Sequence, residues 1–264
     1  MLLASSVRVR AIANIAADSR GLWVTGTKWC FLHLMVKVPE PAMPHVKILE
    51  IADITHNVRR YRLEKPEGYA FQPGQATDVS LDEEGWREKK HPFTFTALTD
   101  APYLEFTIKS YFNTGGDGVT ERLYGYKPGQ ALILRDVWGT ITYKGPGTFI
   151  AGGAGVTPFI AILRDLHHRR KLAGHTLIVS DRTEADIILR DEFEKMRDLE
   201  IIWTVTDEPQ SKLLHDRIDD KFLKRHVTDW TQNFYLCGPD DMVKELRGKL
   251  KGLGASVENV TFEK

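Results

Sequence analysis

The stretch Thr148-Phe149-Ile150-Ala151-Gly152-Gly153-Ala154-Gly155-Val156-Thr157-Pro158 decides the fold. Thr148–Ala151 reads as a short apolar strand. The glycines that follow permit a tight turn, and from Pro158 to Lys171 apolar residues recur at helical spacing. Thr157 suits the helix cap, and Pro158 suits the first helical position, where a missing N–H costs nothing. A strand that runs through glycines into a helix opens a parallel α/β sheet. Gly152, Gly153 and Gly155 resemble the G-x-G-x-x-G pattern, with Pro158 at its last place. Such glycines let a backbone approach a pyrophosphate, and the N–H groups of the helix start at Val156 and Thr157 face it. The same string without a ligand is an ordinary glycine-rich turn, and this loop alone does not choose between the two.

Towards the C-terminus the alternation continues. Thr176–Ser180, Glu200–Thr206, Asn233–Cys237 and Val257–Phe262 read as strands; Asp186–Arg197, Asp216–His226 and Asp240–Leu253 read as helices. With Thr148–Ala151 this makes a parallel five-stranded, Rossmann-like sheet with right-handed crossovers. Its fourth strand ends in Cys237-Gly238-Pro239. Open α/β sheets bind ligands at the carboxyl ends of their strands, so this loop and the Gly152–Pro158 loop belong on one edge. Cys237 is then placed beside a nicotinamide ring. A buried cysteine before a Gly-Pro turn is the plainer alternative for this loop taken singly.

Towards the N-terminus the rhythm changes at Lys144-Gly145-Pro146-Gly147. Val46–Ile54, Val58–Lys65, Ala76–Leu81, Pro92–Leu98, Leu104–Tyr111 and Ala131–Val137 are short, rich in β-branched and aromatic residues, and separated by Pro/Gly turns. They predict an antiparallel β-barrel, interrupted by one short helix near Val119–Tyr124. The chain is therefore divided into residues 43–144 as a barrel domain and 145–264 as an α/β domain. Residues 1–42 hold three Arg, two Lys and only two acids, without clear periodicity. They are expected to be a poorly ordered or non-native extension, with an Arg-rich targeting peptide as the alternative and Met43 as a natural start.

Composition excludes several classes. Lys+Arg and Asp+Glu balance at 36 each, which gives no sign of nucleic-acid binding. No stretch is long and apolar enough to span a bilayer. Two cysteines, Cys30 and Cys237, cannot build a disulfide framework or ligate a four-thiolate iron–sulfur cluster, and they suit a reducing, cytoplasmic compartment. No metal site is expected.

His91-Pro92-Phe93-Thr94-Phe95-Thr96, Gly152-Gly153-Ala154-Gly155-Val156-Thr157-Pro158 and Cys237-Gly238-Pro239 together resemble, in order and spacing, the motifs of the ferredoxin–NADP reductase superfamily. The resemblance covers residues 45–264. It implies bound FAD, with NADH or NADPH as cosubstrate. His91 and Pro92 would approach the FAD pyrophosphate, Phe93 would pack on the isoalloxazine, and Thr94 would hydrogen-bond near flavin N5. Thr107, Lys109 and Tyr111 would line the cofactor. Gly118, Val119 and Thr120 would open the short helix on its pyrophosphate, and Thr157 would touch the flavin edge. Thr94 and Cys237 are the catalytic candidates. Arginine is commoner in such motifs at the place of His91. Because histidine loses its charge near neutral pH, flavin affinity is expected to weaken as pH rises.

The string Thr183-Glu184-Ala185-Asp186-Ile187-Ile188-Leu189-Arg190 is similar to that of the NADH-dependent cytochrome reductases of the superfamily. Asp186 would disfavour a 2′-phosphate and Arg182 would accommodate one; the resemblance leans to NADH. Asp186 also reads as a helix cap. The implied activity is hydride transfer between NAD(P)H and FAD, with electrons passed to or from a separate carrier such as a ferredoxin, flavodoxin or haem protein. A reductase subunit of an oxygenase or dehydrogenase, a free-flavin reductase, and a non-catalytic nucleotide-binding module are the alternatives.

Overall fold

The computed structural model describes residues 43–112, 115–139 and 141–262; the N-terminal extension expected over residues 1–42 lies outside the described residues. Two sheets make up the fold. The first holds β1 (His45–Thr55), β2 (Val58–Glu64), β3 (Gln75–Leu81), β4 (His91–Thr94), β5 (Tyr103–Lys109) and β6 (Ala131–Gly139), in the order β4-β3-β6-β1-β2-β5. Every pairing is antiparallel. The two edges meet just past β4, where Phe95 bridges to Phe106 and Thr96 N–H donates to the Glu105 carbonyl at 2.8 Å. The sheet is thereby curled into a barrel, filled by Tyr61, Phe71, Phe95, Phe106 and alternating aliphatics. The strand expected over Pro92–Leu98 stops at Thr94, because its neighbour changes from β3 to β5 at this corner. Helix α1 (Val119–Tyr124) lies between β5 and β6.

The second sheet holds β7 (Gly147–Gly152), β8 (His175–Asp181), β9 (Leu199–Val205), β10 (Asn233–Cys237) and β11 (Val260–Phe262), all parallel, in the order β11-β10-β7-β8-β9. From β7 the chain steps outward through β8 to β9, then returns to the other side of β7 for β10. The order therefore reverses between β7 and β10, the place where doubly wound sheets open a crevice. Helices α2 (Thr157–His168), α3 (Arg190–Glu194), α4 (Asp220–His226) and α5 (Asp240–Gly252) connect the strands.

Three helical expectations change. The helix expected over Asp186–Arg197 is a 3-10 turn, Glu184–Asp186, followed only at Arg190–Glu194 by α3. Leu189 between them is left-handed (φ 55°), a conformation that interrupts a right-handed helix. The helix expected from Asp216 starts at Asp220, because the Asp219 carboxylate accepts from the Phe222 N–H at 2.8 Å and caps it there. Thr157 is not the cap of α2 but its first residue; its hydroxyl donates back to the Ala154 carbonyl at 2.9 Å. At the C-terminus, a 3-10 turn replaces the first half of the strand expected over Val257–Phe262.

Barrel and parallel sheet share one apolar cluster. Val58 and Ile141 from the barrel side pack with Phe149, Phe159, Ile162 and Tyr235. A polar junction reinforces it. Arg164 on α2 donates to the Thr96 carbonyl and to Glu105 Oε1, each at 2.6 Å, and to both oxygens of Glu192. Glu105 is 1% exposed and is also held by Arg62 at 3.1 Å. The connecting segment is fixed as well: the Tyr235 hydroxyl donates to the Gly145 carbonyl at 2.8 Å and accepts from the N–H groups of Lys144 and Gly145.

Candidate active site

The carboxyl ends of β7 and β10 are packed backbone to backbone. A Cβ on Gly155 would lie 2.3 Å from the Cys237 carbonyl oxygen, so only glycine lets the turn lie so close to β10. Gly153 instead needs its freedom for conformation (φ 53°), and the space above it is open except for Asp181 Oδ1, 3.6 Å from where a Cβ would stand. Both glycine loops therefore have a packing reason of their own.

Above them lies a cleft of about 820 Å³, at the upper end of the range of cofactor pockets. Its floor is Gly152–Gly155 and Cys237–Asp240. One wall is Ser180, Asp181 and Arg182 at the end of β8, with Thr206. The opposite wall comes from the barrel: His91 and Pro92 of β4, and Lys109 and Tyr111 at the end of β5. Of the residues singled out in the sequence, the fold thus brings together His91, Pro92, Lys109, Tyr111, Gly152, Gly153, Gly155, Arg182, Cys237, Gly238 and Pro239. Tyr111 is half exposed and presents a ring to the cleft, whereas Cys237 is 6% exposed.

The others lie behind this lining. Phe93 is buried in the barrel core under the His91 ring, stacked at 4.8 Å and 21°. The ring that reaches the cleft is that of His91, whose Nδ1 is 3.1 Å from the Pro92 carbonyl. Thr94 and Thr107 are buried, and Thr107 Oγ1 is 3.3 Å from Thr96 Oγ1. Gly118 precedes α1 with no side-chain cap; Val119 and Thr120 are buried, and the Thr120 carbonyl accepts from the Ser110 hydroxyl at 3.0 Å. Val156, Thr157 and Pro158 form the start of α2 beneath the turn. Asp186 is outside the cleft lining: its Oδ2 accepts from the Thr183 N–H and hydroxyl in a capping box, and its other oxygen is 3.8 Å from His56. Arg182 is exposed and paired with Asp207 at 2.7 Å, and this hydrogen bond holds the Asp207 carboxyl below the usual range.

Asp181 was passed over in the sequence. It is 6% exposed, its Oδ2 finds no hydrogen-bond partner among the described residues, and it lines the cleft. Burial pushes its pKa up to about 7; the Lys109 cation pulls the other way and the Asp186 charge adds to the rise. Its place at the carboxyl end of the second parallel strand is legible in sequence; its desolvation is not.

The residues present fit a flavin and a nicotinamide dinucleotide. The Tyr111 and His91 rings are flat stacking faces. Lys109 is a cation beside the glycine turn, and the turn can admit a phosphate where a side chain would block it.

Residues 149–248 match the oxidoreductase NAD-binding domain. The chain is 25% identical over 231 residues to NADH-cytochrome b5 reductase 2 of Mycosarcoma maydis, covering 79% of this chain and 65% of that one. It is 25% identical over 240 residues to the reductase component of propane 2-monooxygenase of Rhodococcus jostii, covering 83% and 62%. The chain thus spans less than two thirds of the length of these two relatives. In fold it is similar to a ferredoxin NADP+ reductase from Neisseria gonorrhoeae solved with bound FAD and NADP, with a TM-score of 0.74 at 20% identity over 85% of this chain and 99% of that one. Among the described residues no helix is long and apolar enough to cross a membrane.

Proposed function

We propose that the chain is an FAD-dependent NAD(P)H oxidoreductase that passes electrons between a nicotinamide dinucleotide and a separate carrier protein. One observation carries this reading: a single cleft joins the barrel strip His91-Pro92 and Lys109 to both glycine loops at the point where the strand order reverses. The redox chemistry is supplied by the bound flavin, which accepts a hydride and gives up electrons singly. The protein's part is placement. Residues 43–144 are assigned to flavin binding, with His91, Pro92, Lys109 and Tyr111 holding it. Residues 145–264 are assigned to the dinucleotide, with Gly152, Gly153 and Gly155 admitting its pyrophosphate. Cys237, buried at the floor, excludes water where the two rings meet.

NADH is the proposed cosubstrate. Arg182 is already neutralised by Asp207, which weakens its attraction for a 2′-phosphate. The relatives named NADH-cytochrome b5 reductases support the same choice. Asp186, engaged as a cap, contributes less to this preference than its sequence context suggests.

Purified protein is expected to carry a yellow flavin chromophore, to bleach anaerobically with NADH, and to reduce ferricyanide. A folded, colourless preparation that cannot be reconstituted with FAD refutes the reading. The similarity to an oxygenase reductase component favours a second form of it, in which physiological turnover needs one dedicated partner; NADH oxidation that one carrier protein supports and unrelated carriers do not would select that form.

A further inference from the structure

We propose that Asp181 is a proton-linked recognition residue of the cleft: its unpartnered carboxyl takes up one proton from solvent when a dinucleotide binds and donates it as a hydrogen bond to the ligand's pyrophosphate. This rests on the dinucleotide reading of the cleft given above.

The geometry is specific. Asp181 ends β8 directly beneath the glycine turn, with Oδ1 3.6 Å from where a Cβ of Gly153 would stand. Its Oδ2 is fully shielded and unpartnered among the described residues, although buried polar atoms are nearly always satisfied. Lys109 on β5 acts on it electrostatically and lowers its pKa. The other charged or titratable groups of the cleft and its rim are Asp186 on the following turn, Arg182 bound to Asp207 beyond β9, His91 on β4, Cys237 at the end of β10 and Asp240 at the start of α5. The carboxyl's other oxygen, Oδ1, faces the glycine turn, so a proton held on this group can be donated to a ligand lying over the turn.

The sign follows from charge. An ionised carboxylate beside a phosphate turn repels a dianionic pyrophosphate; a protonated one supplies a donor to it. Burial already brings Asp181 to half-protonation near neutrality, with a pKa of about 7, and an arriving anion raises it further. Dinucleotide binding then draws a proton from solution. Affinity is highest below pH 7 and weakens as pH rises, by about tenfold between pH 6 and pH 8.

The test is calorimetric titration of the flavin-loaded protein with NAD+, which carries the pyrophosphate and delivers no hydride. Titrations at pH 6 and pH 8, in two buffers of different ionisation enthalpy, report both affinity and proton uptake. Wild type is expected to take up close to one proton at pH 8 and to bind about tenfold more weakly than at pH 6. Asp181→Asn, a fixed neutral donor, is expected to bind equally at both pH values with no proton uptake. Asp181→Ala is expected to lose the pH slope and also the pH 6 affinity. A wild type without proton uptake, or a slope that persists in Asp181→Asn, overturns the proposal while leaving the cleft assignment intact. Absence of NAD+ binding at either pH overturns both.

Discussion

Replacing Gly155 with alanine tests the claim that the two glycine loops are held against each other by backbone contact. The added methyl would stand 2.3 Å from the Cys237 carbonyl oxygen, 2.4 Å from its carbon and 2.6 Å from the Gly238 nitrogen. Each is about 1 Å short of ordinary van der Waals contact, and all three atoms are backbone, so no rotamer change relieves them. Neither side can retreat cheaply. Cys237 is paired in register with Ala151 of the neighbouring strand. The turn itself leads into α2, whose Phe159, Ile160 and Leu163 are fully buried. Overpacking of this kind costs about 3 kcal/mol. For a chain of this size that lowers the thermal midpoint by about 6–12 °C. Thermal unfolding followed by circular dichroism measures it, and NAD+ titration should show weaker binding because the turn is pushed into the cleft. Gly248→Ala is the internal control: it lies inside α5 with nothing within 4 Å of the new methyl, and should gain about 0.5–1 kcal/mol. A Gly155→Ala protein melting within about 2 °C of wild type would refute the contact as a constraint.

Other expectations concern the junction and its charges. Arg164→Met should lower stability by about 3 kcal/mol in urea, since it removes the cation on Oε1 of the buried Glu105 and leaves Arg62, Arg60 and Thr96 as its side-chain partners; a loss under 1 kcal/mol would mean the junction is not electrostatic. Burial pulls the Arg164 pKa down, but the Glu192 hydrogen bond and the Glu105 charge outweigh it and hold this cation charged at every accessible pH, so the effect of the substitution should not change between pH 6 and pH 9. Asp219→Ala should lower the thermal midpoint by a few degrees and Asp219→Asn should not, because both Asp and Asn can accept from the Phe222 N–H. Asp181 has a folded pKa raised from 3.8 to about 7, so the native state holds the extra proton and stability falls as pH rises from about 4 to 7, then levels off. Asp181→Asn should therefore stabilise the protein at pH 8, by on the order of 4 kcal/mol at the upper limit, and do little at pH 4; equal effects at both pH values would contradict the burial of that charge.

The sequence by itself determined the two rhythms, strands without helices and then strands with them, because side-chain periodicity is a local property that folding preserves. It also determined which loops carry glycine and which short strings resemble a reductase, since those are patterns of neighbouring residues. Leu189 shows where local reading fails: its left-handed backbone breaks a helix that the apolar spacing of Asp186–Arg197 favours. The tertiary structure alone decided which of the named residues share a cleft. His91 and Gly153 are far apart in the chain and meet because β7 and β10 are neighbours at the reversal of strand order while the barrel closes over them. It also placed Phe93 in the barrel core and left one oxygen of Asp181 buried without a partner among the described residues. Burial and desolvation depend on every element packed around a group, and no window of sequence contains that sum.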